Sequence, residues 1–244
     1  MKQPLLISTI VASIAIVIAA HFLGSSLKNR NQSSSISVTG LGTKDFISDL
    51  IVWSGYFSKK SMGLKEAYAE LEQDRQKIKD YLLSKGFSEK DIVFSSVYID
   101  KQYDYYDTEG GGSRKVFSGY QLDQTVTIES KNVQKVENLS RQITELINSG
   151  VELSSRAPAY YYTKLSDLKI QMIADATKDA RKRAEEIAIN AGSKLGKLKK
   201  ANLGVFQITA QNSSDEDYSW GGTFNTSSKN KTANITIRLD YEVK

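Results

Sequence analysis

The sequence predicts an α+β fold: an antiparallel or mixed sheet with about three helices on one face, preceded by one N-terminal hydrophobic helix. Three observations carry this. Segments rich in β-branched and aromatic residues come in pairs followed by single helix-periodic segments, unlike the regular alternation of a doubly wound parallel fold. The three helix-periodic segments each stop at a glycine, Gly86, Gly150 or Gly192. The last segment alternates Ile235, Ile237, Leu239, Tyr241 and Val243 with Thr236, Arg238, Asp240 and Glu242, the period of a half-buried strand.

Residues 1–30 form the first region. From Leu5 to Leu23 no residue carries a formal charge apart from a protonated His21. A helix of that length spans roughly 28 Å, close to the thickness of a bilayer's hydrocarbon core. An uncleaved membrane anchor is favoured because the run exceeds the usual signal-peptide core of roughly 7–15 residues. The alternative is a cleaved secretory signal, supported by Lys2 and by Ala19 and Ala20 ahead of a cut before His21. Lys2 on one flank competes with Lys28 and Arg30 on the other, so charge does not fix the orientation. Residues 24–35 (GSSLKNRNQSSS) have the composition of a flexible linker, its end at 31–35, and one domain follows over 36–244.

Within that domain, Ser35–Thr39 and Phe46–Phe57 read as strands separated by the turn signals Gly40 and Gly42. Met62–Lys85 has helical spacing, with apolar residues at 64, 67, 68, 71, 78, 81 and 82. Two strands are expected at Ile92–Gln102 and Val116–Glu129, divided by a glycine-containing hairpin loop over Asp104–Lys115. A second helix is expected over Val133–Asn148, then short strands from Val151 and at Tyr160–Tyr162. The third helix, Leu165–Ala191, places a mostly alanine seam on one side and allows Asp179 to pair with Arg183 at i,i+4. A strand over Leu198–Thr209 and a polar loop over Gln211–Lys231 precede the final strand.

Composition removes much chemistry. The chain has 244 residues, 40% hydrophobic and 25% charged, enough for one sizeable domain. Of its 33 basic residues three precede the domain, leaving 30 against 28 acidic ones, and no basic face suited to nucleic acid emerges. There is no cysteine and the one histidine is His21, so histidine-assisted nucleophilic catalysis is excluded from the domain and a lipoprotein cysteine is absent. No phosphate loop appears, and no spacing singles out a carboxylate pair for hydrolysis. The acidic groups Asp104, Asp107, Glu109 and Asp215, Glu216, Asp217 lack the ligand order of a calcium loop. The expectation is no enzyme, no cofactor, no metal and no small-molecule substrate. Lys178, Arg181, Lys182, Arg183, Lys194, Lys197, Lys199 and Lys200 form the best anion-binding candidate, diluted by interleaved acids; an ordinary charged face is the favoured reading. Tyr103, Tyr105, Tyr106, Tyr160, Tyr161, Tyr162 and Trp220 are candidate interface residues, weighed evenly against amphipathic side chains lining strand edges.

Ile36–Gly42 (ISVTGLG) is similar to the opening strand of the SIMPL-domain family, and Ala174–Gly196 (ADATKDARKRAEEIAINAGSKLG) resembles its characteristic helix. With the alternating last strand, the resemblance covers roughly residues 35–244. It implies an exported α+β envelope protein that self-associates; bacterial members include periplasmic immunogenic proteins, and the family is linked to oxidative-stress tolerance. The matching positions are Gly40, Gly42, Asp179, Arg181, Ala184, Ala188, Gly192, Leu195 and Gly196, read as architectural, with Asp179 and Arg181 able to anchor the helix to a loop. The long segments Asp104–Lys115 and Gln211–Lys231 depart from the family pattern. The expected function is that of a non-enzymatic cell-envelope protein, a self-assembling structural or stress-related periplasmic factor held in the inner membrane. The alternative is a monomeric extracytoplasmic binding module using its aromatic loops.

Overall fold

The computed structural model describes residues 13–14, 16–21, 24, 35–107, 111–213 and 219–244. Residues 16–21 of the apolar N-terminal run are helical, and most of the rest of that run lies outside the described residues. Among the described residues no helix is long and apolar enough to cross a membrane. Glu109 and the acidic run Asp215, Glu216, Asp217 also lie outside them.

The fold is α+β. In chain order the elements are β1 (Ser35–Ile47), β2 (Leu50–Ser61), α1 (Leu64–Ser84), β3 (Ile92–Phe94), β4 (Tyr98–Asp107), β5 (Ser113–Ser130) and α2 (Val133–Gln142). Then come β6 (Leu153–Ser155), β7 (Ala159–Tyr161), α3 (Leu165–Asn190), β8 (Leu195–Leu203), β9 (Gln207–Ala210), β10 (Thr223–Phe224) and β11 (Asn230–Val243). They make two compact units, one of residues 1–43, 169–206 and 234–244, the other of 44–168 and 207–233.

The larger unit is built on a six-stranded antiparallel sheet. β2 and β5 pair from Ile51 opposite Ser130 to Ser61 opposite Tyr120. β3 and β4 add to β5, while β6 and β7 add to β2. Ile51, Trp53, Phe57, Leu122, Val126 and Ile128 all point to one face and are fully buried. There they join Ala67, Leu71, Ile78 and Leu82 of α1 and Val136 and Leu139 of α2 in one hydrophobic core. The spacing of four and three residues along α1 produces this stripe. Asp74 falls on the same stripe and is buried, its charge met by Lys59 at 2.9 Å. Trp53 Nε1 donates to Ser155 Oγ at 3.0 Å, and Ser155 donates on to the Ser140 carbonyl.

The smaller unit is leaner. Its strands are the first part of β1, most of β11, and β8, with β11 in the centre. α3 crosses this sheet on a seam of Met172, Ala176, Ala180, Ala184 and Ala188, all buried together with Ile235, Ile237, Leu239 and Tyr241.

Several boundaries differ from the sequence reading. Gly40 and Gly42 lie inside β1, and the chain turns at Ser48 and Asp49 instead. The glycines are required by α3: a Cβ on Gly40 would stand 2.2 Å from the Ala176 carbonyl, and one on Gly42 would stand 2.5 Å from that of Met172. The expected loop Asp104–Lys115 is mostly strand, because β4 runs to Asp107 and β5 starts at Ser113. The predicted strand Ile92–Gln102 is broken between Phe94 and Tyr98. The helix begun at Val133 tightens after Gln142 into a 3-10 segment, Ile143–Ser149. The strand expected at Leu198–Thr209 is interrupted after Leu203, and the loop Gln211–Lys231 contains β10, which pairs in parallel with β9.

Candidate functional site

Three of the family-motif residues, Gly40, Gly42 and Asp179, meet at one place in the smaller unit. Where Gly40 and Gly42 let α3 approach the strand, the Leu41 N–H donates to Asp179 Oδ2 at 2.9 Å. Arg183 Nε donates to the same oxygen at 2.9 Å. The strand N–H, and then the guanidinium, hold the Asp179 carboxyl below its ordinary range. Arg181 is not part of this lock: it pairs with Glu185 at 2.8 Å. Ala184 and Ala188 are fully buried in the seam, Gly192 ends the helix with φ 69°, and Gly196 lies against Glu242, with Leu195 opposite Val243. Beside the lock runs a shallow groove of about 670 Å³ between Ser37–Thr39 of β1 and Asp179–Ile187 of α3. The Asp179 carboxylate is engaged on both sides, by strand backbone and by Arg183.

Among the described residues no group of three His, Cys, Asp or Glu is placed to hold a metal ion. The polar pairs of the larger unit are likewise fastened. Tyr56 donates to Asp123 at 2.5 Å, and this hydrogen bond followed by burial pushes its phenol above the ordinary range. Tyr160 donates to Glu137 at 3.1 Å, while Lys229 lies 3.4 Å from that carboxylate.

The exposed aromatic residues concentrate on the β4–β5 ribbon. Directly opposed residues share a face, and Ile99 stands opposite buried Leu122. Ile99, Tyr103 and Tyr105 therefore continue the helix-covered face outward. A register shift at Gln102/Tyr103, where Gly119 takes φ 127°, brings Phe117 opposite Tyr103 and onto the face of Tyr120. Lys115 Nζ caps the row, 3.9 Å from the Tyr103 ring centroid and 5.8 Å from that of Tyr105. Tyr98 and Tyr106 lie on the opposite face, and Tyr105 and Tyr98 are 66% and 65% exposed.

β4 is also an edge strand, paired only with β5 among the described strands. Edge strands ordinarily carry charge or an obstruction against further pairing. β8 carries Lys197, Lys199 and Lys200, and at β1 Asp179 occupies the Leu41 N–H. β4 has one lysine, Lys101, among ten residues; its three aspartates, Asp100, Asp104 and Asp107, accompany a row in which Ile99, Lys101, Tyr103 and Tyr105 alternate.

The other sequence-predicted aromatics do not join this ribbon. Tyr160 is tied to Glu137, Tyr161 stacks on Phe224 at 6.4 Å, and Tyr162 packs on Phe46 at 4.9 Å. Trp220 is fully exposed, away from any described ring contact. Sequence reasoning missed Ile99, Lys115 and Phe117 because cross-strand register makes their row. The available signal was the odd-numbered alternation Ile99, Lys101, Tyr103, Tyr105.

A family model described as "SIMPL: Protein of unknown function (DUF541)" matches residues 36–238. No curated protein matches the chain. With the match covering most of its length, and with the strand and helix motifs joined in one lock, the chain belongs to the SIMPL family.

Proposed function

We propose that this protein is a non-enzymatic, extracytoplasmic envelope component that self-associates through the β4 edge. The observation that carries the reading is the contrast between edges: β4 is long, carries four tyrosines and an isoleucine and is acidic rather than basic, whereas β8 is lysine-rich without an aromatic residue and β1 is obstructed by Asp179. An added strand would satisfy the backbone groups of β4, and the row of Ile99, Tyr103 and Tyr105 would bury aromatic area at the junction. Residues 5–23 would hold the protein in the inner membrane with the domain in the periplasm. Any contribution to stress tolerance would then be structural, in keeping with a chain that has no cysteine and His21 as its one histidine.

The test is light scattering of the full-length protein in detergent, after fractionation and intact-mass measurement. A discrete oligomer is expected, which Ile99→Lys with Tyr105→Lys converts to a monomer with an unchanged circular dichroism spectrum. A monomeric wild-type protein would sink the assembly reading. The second reading, a monomeric binding module, draws on the same exposed tyrosines and on Trp220, and would then stand.

A further inference from the structure

We propose that the β8 end of the smaller unit lies against an anionic phospholipid bilayer, resting on the membrane-anchor reading above. The observation is that the fold adds Lys244 to the lysines of 194–200 and separates them from the neutralised arginines of α3. In the sheet, Lys200 faces Asp240, Leu198 faces Tyr241 and Leu195 faces Val243. Lys194 and Lys244 exchange backbone hydrogen bonds of 2.8 and 2.9 Å. Lys194, Lys197, Lys199 and Lys200 thus run along the β8 edge, with Lys244 beside Lys194 where β11 finishes, and all five are exposed. On the other side of β11, Arg238 Nε donates to Ser37 Oγ at 2.9 Å, so β1 begins at this same end. The chain following the apolar run 5–23 therefore joins the folded unit beside the lysines.

The opposing charges nearby are Asp240 and Glu242 on β11, and Asp240 lies 3.9 Å from Arg238. Five lysines face two carboxylates. Among the described residues none of the five lysines is in an ion pair, whereas Arg181 and Arg183 of α3 are neutralised by Glu185 and Asp179. Leu198, between Lys197 and Lys199, is 49% exposed, giving the patch an apolar point among its charges. The field of anionic headgroups decays over about 8–10 Å, so the patch must lie close to the surface to feel it. Attachment turns a weak attraction into an intramolecular one.

The test places the full chain in phosphatidylcholine vesicles and in vesicles that also contain phosphatidylglycerol. Flotation is measured in each, and amine labelling is read residue by residue by mass spectrometry, with Lys90 as the reference. Expected is flotation with both, with labelling of Lys194, Lys197, Lys199 and Lys200 slowed at least about threefold only by the anionic lipid, and restored by salt. K199E with K200E should remove the protection of Lys194 and Lys197 without changing flotation. Flotation with both but equal labelling overturns the inference, leaves the anchor, and reduces the lysines to edge protection. Salt-sensitive flotation with the anionic vesicles alone supports the lysine surface and removes the anchor. Flotation with neither overturns both.

Discussion

Asp179 accepts one hydrogen bond from strand backbone and one from Arg183, so its negative charge is worth most when ionised. Its carboxyl lies below the ordinary 3.8, chiefly through the Leu41 N–H. A lowered folded-state value means that the stabilisation is present above the unfolded carboxyl range and is lost as pH falls through the folded value. Asp179→Asn should therefore cost about 1 kcal/mol near neutrality, a modest figure because the side chain is a third exposed. The difference between the urea midpoints of wild type and variant should shrink as pH falls below the carboxyl range. Gly40→Ala acts on the same lock by sterics. The added Cβ would meet helix backbone that has no rotamer to relieve it, and a loss of about 3 kcal/mol in urea unfolding is expected. The i,i+4 spacing of Asp179 and Arg183 was legible from the sequence. The third member, Leu41, was not, because it lies 138 residues away and contributes a backbone group that every residue has.

At the scale of elements, strands were misread where glycine has a steric rather than a turning role. Gly40 and Gly42 look like punctuation, yet β1 continues through them because α3 occupies the space of their side chains. The run DYYDTEGGGSRK reads as loop from its glycines and charges, but pairing carries β4 to Asp107 and β5 back to Ser113. The three helix-ending glycines were legible because a left-handed terminus is a local requirement, and Gly86, Gly150 and Gly192 all have φ between 69° and 81°. Gly119 makes the ribbon's register testable. Its φ of 127° disfavours a side chain, and a Cβ would stand 2.7 Å from the Ser61 carbonyl. Gly119→Ala should destabilise the ribbon by about 2 kcal/mol. Hydrogen exchange should accelerate at Gln102–Asp107, beyond the bulge, while Leu122–Ile128 remain protected. Uniform acceleration across β5 would instead show that the bulge helps to hold the main sheet.

At the scale of the molecule, the two units bury different kinds of side chain. The larger one closes over Trp53, Phe57, Ile51, Leu71, Ile78, Leu82, Leu122 and Ile128, all at most 1% exposed. Each such residue contributes about 1.5–3 kcal/mol on burial, whereas an alanine methyl group contributes about 0.8 kcal/mol or less. α3 is held over the smaller sheet mainly by Ala176, Ala180, Ala184 and Ala188, so close backbone approach replaces buried area as the source of contact. The glycines and alanines of the motif thus supply the space for this approach. Openings that release α3 should then cost less than openings of the β2–β5 pair. Native-state hydrogen exchange in low urea should find the amides of Ala176–Ala188 exchanging through a subglobal opening at least about 2 kcal/mol below that of Ile51–Phe57. Gly40→Ala should lower the first value and leave the second in place. If both sets instead exchange at one common free energy that falls together in the variant, the two units open as a single cooperative body, and the alanine seam is as stabilising as the aromatic core.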